Sequence, residues 1–97
     1  MNRSEAQKLL EDSRNKIDRI DDEIIELIAL RTSLAREIAN AKKVLNKDVE
    51  DLQREDYIQR KIKEIAKKKN INEVSLNQIM KILTDLNKYE QEKIIRS

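Results

Sequence analysis

From Ile17 to Leu45 the side chains of Ile17, Ile20, Ile24, Leu27, Arg31, Leu34, Ile38, Ala41 and Leu45 recur at alternating spacings of 3 and 4. Positions so spaced share one face of an α-helix, because a turn takes about 3.6 residues. Leu10 and Ser13 carry the register backwards, so one helix from about Ser4 to about Leu45 is predicted, opened by a Ser4/Gln7 capping box. Nothing interrupts it. The chain has no Gly and no Pro, the two residues that penalise a helix interior most. A helix of this length extends about 60 Å, whereas a compact chain of this size has a radius of gyration near ~13 Å. Two shorter helices hide only part of such a seam. A second copy of the long helix is the natural cover, and an intertwined homodimer is expected.

The apolar rhythm stops at Asn46-Lys47-Asp48, where Asn and Asp supply turn and cap chemistry. A second helix is predicted from near Asp51 to about Lys68, with Ile58, Ile62 and Ile65 as its stripe and Leu52, Tyr57 and Ala66 on the flanks. Lys67 to Asn72 reads as the next connection, with Asn72 or Ser75 as N-cap and Ser75/Gln78 as a second possible capping box. The third helix, over about 73–96, carries Leu76, Ile79, Met80, Leu83, Leu86 and Ile94. The expected fold is all-α, one long and two shorter helices per chain in a homodimeric bundle, with all 97 residues in one domain.

Composition removes whole classes of chemistry. With no Cys and no His there is no thiol nucleophile, disulfide framework, imidazole base or zinc site. With no Gly there is no phosphate-cradling loop. No cofactor and no metal are expected. The 21 basic and 19 acidic side chains leave a net charge of only +2, which is no basis for a nucleic acid or an anionic membrane as partner. No apolar run approaches the about 20 residues of a transmembrane span, and a cytoplasmic location is expected.

Several polar residues stand on apolar faces. Arg31 occupies the heptad seam, and Lys42, eleven residues on, is rotated from it by only about 20°. Ala35 and Ile38 lie between them on that face. On the second helix Arg54 and Glu55 precede Ile58 and Ile62 at helical spacings, and on the third Asn87 and Gln91 follow Met80 and Leu83 on the inward stripe. Burying such groups unpaired costs several kcal/mol, on the order of 2–7 for a neutral polar group alone. One polar residue in a seam commonly fixes register or oligomeric state, but such positions on all three helices call for a ligand. Three cations (Arg31, Lys42, Arg54) against one anion (Glu55) describe a pocket for a small anionic molecule, one carrying carboxylates.

These residues resemble the all-α chorismate mutases, and the resemblance covers nearly the whole chain. The run from Arg14 to Arg31, RNKIDRIDDEIIELIALR, is similar to that family's opening, and Leu34-Ala35 through Ala41-Lys42 continue it. Asp51-Leu-Gln-Arg54-Glu55 resembles the D-x-x-R-E element of its second helix, and Asn87-Lys-Tyr-Glu-Gln91 the Ser/Asn-x-x-x-Gln element near its end. The resemblance implies conversion of chorismate to prephenate, the step toward phenylalanine and tyrosine. It implies that Arg14, Arg31 and Arg54 grip the two substrate carboxylates, that Lys42 and Gln91 donate to the ether oxygen, and that Glu55 holds the ring hydroxyl and helps to position Lys42. Asp51, Ile38, Asn87 and Thr84 would line or support the pocket. Arg14 would come from the other subunit. Geometry agrees with that last point, since Arg14 precedes Arg31 by 17 residues, about 26 Å along a straight helix and turned by roughly 100°.

An intramolecular pericyclic rearrangement needs no nucleophile, proton transfer, metal or redox step, so a chain without His and Cys is equipped for it. The chain departs from the family at Leu45-Asn46-Lys47-Asp48-Val49, where relatives usually carry Gly or Pro. Two rivals remain: a lyase of the same fold that splits isochorismate into salicylate and pyruvate, and a non-enzymatic helical dimerisation module. The intact D-x-x-R-E element with Glu55 favours the mutase. Neither a second catalytic domain nor an amino-acid-sensing domain is expected within these 97 residues. Offered each substrate in turn, the purified chain is expected to form prephenate from chorismate and no salicylate from isochorismate; salicylate would favour the lyase, and silence with both would favour the module.

Overall fold

A computed structural model describes residues 1–97 and contains three α-helices and no strand: α1 (Arg3–Leu45), α2 (Leu52–Lys69) and α3 (Glu73–Ile95). No helix is long and apolar enough to cross a membrane. The chain divides into two compact units, Met1–Leu30 and Arg31–Ser97, and the boundary falls inside α1.

The first unit is helix alone. Its cap is Asn2, whose Oδ1 accepts from the Glu5 N–H at 2.8 Å, with Ser4 already inside the first turn. An Asn side chain one position before the helix reaches the orphan donors that the Ser4/Gln7 pair was expected to serve. Every residue of this unit except the half-buried Ile28 is exposed. The apolar row is thus still open to solvent, with Ile17 and Ile20 at 53%, Ile24 at 47% and Leu27 at 59%.

In the second unit the exits of α1 and α2 use Asn where most proteins use Gly. Asn46 and Asn70 take left-handed φ of 55° and 54°, a region that Asn tolerates better than other residues with a Cβ. At each, paired bonds close the helix: Lys47 N–H to the Lys42 carbonyl (2.8 Å) with Asn46 to Lys43 (3.3 Å), and Ile71 to Ala66 (2.9 Å) with Asn70 to Lys67 (3.5 Å). That is the Schellman arrangement, which satisfies last-turn carbonyls. The next helices start on side-chain caps, Asp51 accepting from Arg54 N–H at 3.0 Å and Asn72 from Ser75 N–H at 2.9 Å.

The second unit's apolar core is small. Ala35 and Ala39 of α1 are fully buried, and Val49, Ile62 and Ala66 nearly so. α2 packs on α3, while polar bridges tie α1 to α3. Arg36 Nε donates to Glu90 Oε2 at 3.3 Å, Lys93 Nζ donates to the other oxygen at 3.2 Å, and Lys43 Nζ donates to the Ile94 carbonyl at 3.3 Å. Glu90 is buried, 8% exposed, so its charge depends on these partners. The Lys93 hydrogen bond, followed by the Lys93 and Arg36 charges, outweighs burial and holds the Glu90 carboxyl below the ordinary value of 4.5. Because the folded value is depressed, the pairing contributes stability fully above pH 4.5 and loses it as pH falls through the lower folded value. Glu90→Gln is therefore expected to melt at a lower temperature than the unmodified chain at neutral pH, with the gap closing as pH falls below 4.5 through that lower value; thermal scans from neutral to acidic pH check it.

Candidate active site

The second unit encloses a hollow of about 250 Å³, just below the ~300 Å³ at which ordinary ligand clefts begin, so its occupant must be small. α1 contributes Arg31, Ile38 and Lys42, spaced at i, i+7 and i+11 along one face. Val49 and the cap residue Asp51 come from the connection, and Arg54, Glu55 and Ile58 from the opening turns of α2. α3 adds Thr84, Asn87, Lys88 and Gln91, again at helical spacings.

Most of the polar side chains here have a traceable posture. Lys42 Nζ donates to the carbonyl of the buried Val49 at 2.8 Å, which anchors the ammonium at the wall. Asp51 spends one oxygen on the α2 cap, so its place in the lining is fixed by the helix it starts. The Arg54 guanidinium lies over the Tyr57 ring, 5.2 Å from its centroid, a cation–π contact that holds the long side chain. Gln91 is nearly fully buried. Its Nε2 donates to Asn87 Oδ1, and its Oε1 has no partner. An amide nitrogen carries two hydrogens, so Gln91 retains one donor and one orphan acceptor for an occupant.

Glu55 pairs with Lys88, across from α2 to α3. Lys42 rests on a backbone carbonyl, and the partner that Glu55 meets is Lys88. The Glu55 hydrogen bond, opposed by partial burial and aided by the Glu55 charge, raises the Lys88 ammonium above the ordinary lysine value.

Four cations (Arg31, Lys42, Arg54, Lys88) and two carboxylates (Asp51, Glu55) line the hollow, an excess of two positive charges. An adjoining groove between α2 and α3 is larger, about 540 Å³, but its ionic side chains balance: Glu55 against Lys88, and Asp85 against Lys81 at 3.3 Å. The smaller hollow is the one matched to a dianion, because an uncompensated positive excess favours opposite charge. No cluster of three or more acidic side chains is placed to hold a metal ion.

Nine residues singled out in the sequence, Arg31, Ile38, Lys42, Asp51, Arg54, Glu55, Thr84, Asn87 and Gln91, line this hollow. Arg14 lies in the other unit, exposed on α1. Three lining residues escaped the sequence: Val49, Ile58 and Lys88. Ile58 reads as core stripe, although its i+4 step from Arg54 places both on one face. Lys88 follows Thr84 by the same step, but a lysine in a charge-rich helix reads as solvated.

Residues 13–92 match the family model described as chorismate mutase type II. Over 86 residues, 89% of this chain and 87% of the relative, the sequence is 38% identical to the chorismate mutase of Methanocaldococcus jannaschii. It is also 28% identical over 82 residues to the bifunctional chorismate mutase/prephenate dehydratase of Buchnera aphidicola subsp. Schizaphis graminum, covering 84% of this chain and 21% of that protein. No solved structure gives a significant match. With the match running from α1 through α3, the chain belongs to the type II chorismate mutase family.

Proposed function

We propose that this chain rearranges chorismate to prephenate, acting as one cytoplasmic catalytic domain in a homodimer whose two sites are each completed by the partner. The observation that carries the activity is the hollow's excess of two positive charges, drawn from all three helices, which matches a substrate bearing two carboxylates. Family membership supports the same substrate.

In the rearrangement the ether C–O bond breaks while the side-chain methylene carbon bonds to the ring, with no atom gained or lost. Arg31 and Arg54 hold the carboxylates and select the folded conformer in which the two carbons meet, which removes part of the entropic barrier. Negative charge builds on the ether oxygen as its bond stretches. The Lys42 ammonium, already anchored on the Val49 carbonyl, and the free Gln91 N–H favour that charge without reorganising. Glu55 accepts from the ring hydroxyl. Asp51, Ile38, Thr84 and Asn87 complete the walls.

Two observations support the dimer. The apolar row of Ile17, Ile20, Ile24 and Leu27 is exposed, an arrangement soluble chains usually cover. The chain also leaves 8367 Å² accessible, against about 5,800 Å² for a self-contained monomer of its mass. An excess of about 2,600 Å² per chain is what an obligate interface of about 5,000 Å² in total conceals.

Lys42→Ala is expected to lower kcat roughly a hundred- to a thousandfold while leaving the helical circular dichroism intact; a loss below about tenfold removes Lys42 from this role. Arg14→Ala and Arg31→Ala chains, each inactive alone, are expected to regain activity when mixed, because one of the two sites in a hybrid dimer then holds both arginines. Mixtures that stay inactive, or an active species with the mass of one chain, overturn the shared site.

A further inference from the structure

Glu55 and Lys88 stand where two hollows meet. Glu55, Ile58, Thr84 and Lys88 line both the cationic hollow and the larger groove between α2 and α3, so these four side chains form the partition. Ile58 and Thr84 carry no charge, and the partition's electrostatics therefore reduce to one ion pair. Its setting differs from that of the surface pairs. The Lys88 and Glu55 side chains are 29% and 28% exposed, whereas Arg60 and Asp56 are 76% and 63% exposed. Less water means less screening, so this pair interacts more strongly than a surface pair does. It also joins two helices, whereas Arg60–Asp56 and Lys81–Asp85 are i,i+4 neighbours on one helix. The bond therefore locates the Glu55 carboxylate relative to the α3 wall that carries Asn87 and Gln91.

Two of the other three cations are engaged elsewhere: Lys42 on the Val49 carbonyl and Arg54 over Tyr57. Without Lys88 the lining falls from four cations against two carboxylates to three against two, halving its positive excess. It also leaves the Glu55 carboxylate without its ion-pair partner inside the site.

We propose that Lys88 is a positioning residue of this site, whose ammonium holds the Glu55 carboxylate in the partition as acceptor for the substrate's ring hydroxyl and cancels its charge toward the incoming dianion. The assignment rests on the rearrangement proposed above. It predicts a functional coupling between Lys88 and Glu55 that a merely structural pair does not produce.

The test is a double-mutant cycle on the full chain, with kcat and KM measured for chorismate and folding followed by circular dichroism and thermal melting. Met keeps the length and helix preference of Lys without its charge, and Gln keeps an acceptor oxygen at position 55 so that turnover survives. Lys88→Met is expected to lower kcat/KM about tenfold, and Lys88→Arg, which restores the charge, to stay within about threefold of the unmodified chain. In a Glu55→Gln background the same Lys88→Met change is expected to cost less than about twofold, because no carboxylate is left to hold. The proposal is overturned if Lys88→Met stays within about twofold of the unmodified chain, if its loss is equal in both backgrounds, or if it loses its helical signal and so marks Lys88 as structural. An unmodified chain that leaves chorismate untouched overturns the proposed activity and this assignment together; an active one indifferent to Lys88→Met overturns the assignment alone.

Discussion

Charges drawn away from water must be answered, and the second unit is organised around that requirement. Arg31 and Lys42 share a face of α1 with Ile38, and an ion moved into a partly desolvated place costs several kcal/mol, on the order of its lost hydration, unless counter-charge or hydrogen bonds replace it. The fold answers in part. Val49 offers its carbonyl to Lys42, the Tyr57 ring lies under Arg54, and Glu55 pairs with Lys88. What remains uncompensated is a positive excess and the orphan acceptor of Gln91. The positive excess supports the proposed site for an anionic ligand, and the orphan oxygen calls for a donor; catalysis by electrostatics works best where dipoles and charges are fixed before the substrate arrives.

The same economy shapes the scaffold. So little apolar surface is buried that no large side chain is fully enclosed, and helix-to-helix geometry leans on polar bridges such as Arg36–Glu90–Lys93. Fully buried Ala35 and Ala39 mark where α1 is covered most closely. Small side chains at i and i+4 allow that on one flank while Arg31, Ile38 and Lys42 remain available to the hollow on another. The chain's capping follows from composition in a similar way. With no Gly, Asn takes both left-handed positions, at 46 and 70, at a modest steric cost that the paired end bonds offset.

Much of the candidate site is legible in the sequence. Arg31, Ile38 and Lys42 are linked by spacings within one helix, as are Thr84, Asn87 and Gln91, and periodicity alone brings each group to a single face. Joining the groups required the resemblance to a known family, since nothing local says that Arg54 faces Lys42. Lys88 was missed because its significance lies in another helix: an isolated lysine carries no sign of what it meets. The cap of α1 was misplaced by two residues, Ser4 for Asn2, for a related reason. Ser4/Gln7 and Asn2 both supply cap chemistry, and only the backbone decides which one precedes the first turn.

The sequence by itself determined three uninterrupted helices, the two breaks between them and the face of each that carries polar groups. Those properties depend on residues within a turn or two of each other, where propensity and spacing act directly. Only the tertiary structure decided that Glu55 meets Lys88, that Lys42 rests on a backbone carbonyl, and that the smaller of two adjoining hollows holds the positive excess. Glu55 and Lys88 are 33 positions apart on different helices, and contacts of that kind are set by how packed surfaces fit, which no local pattern encodes.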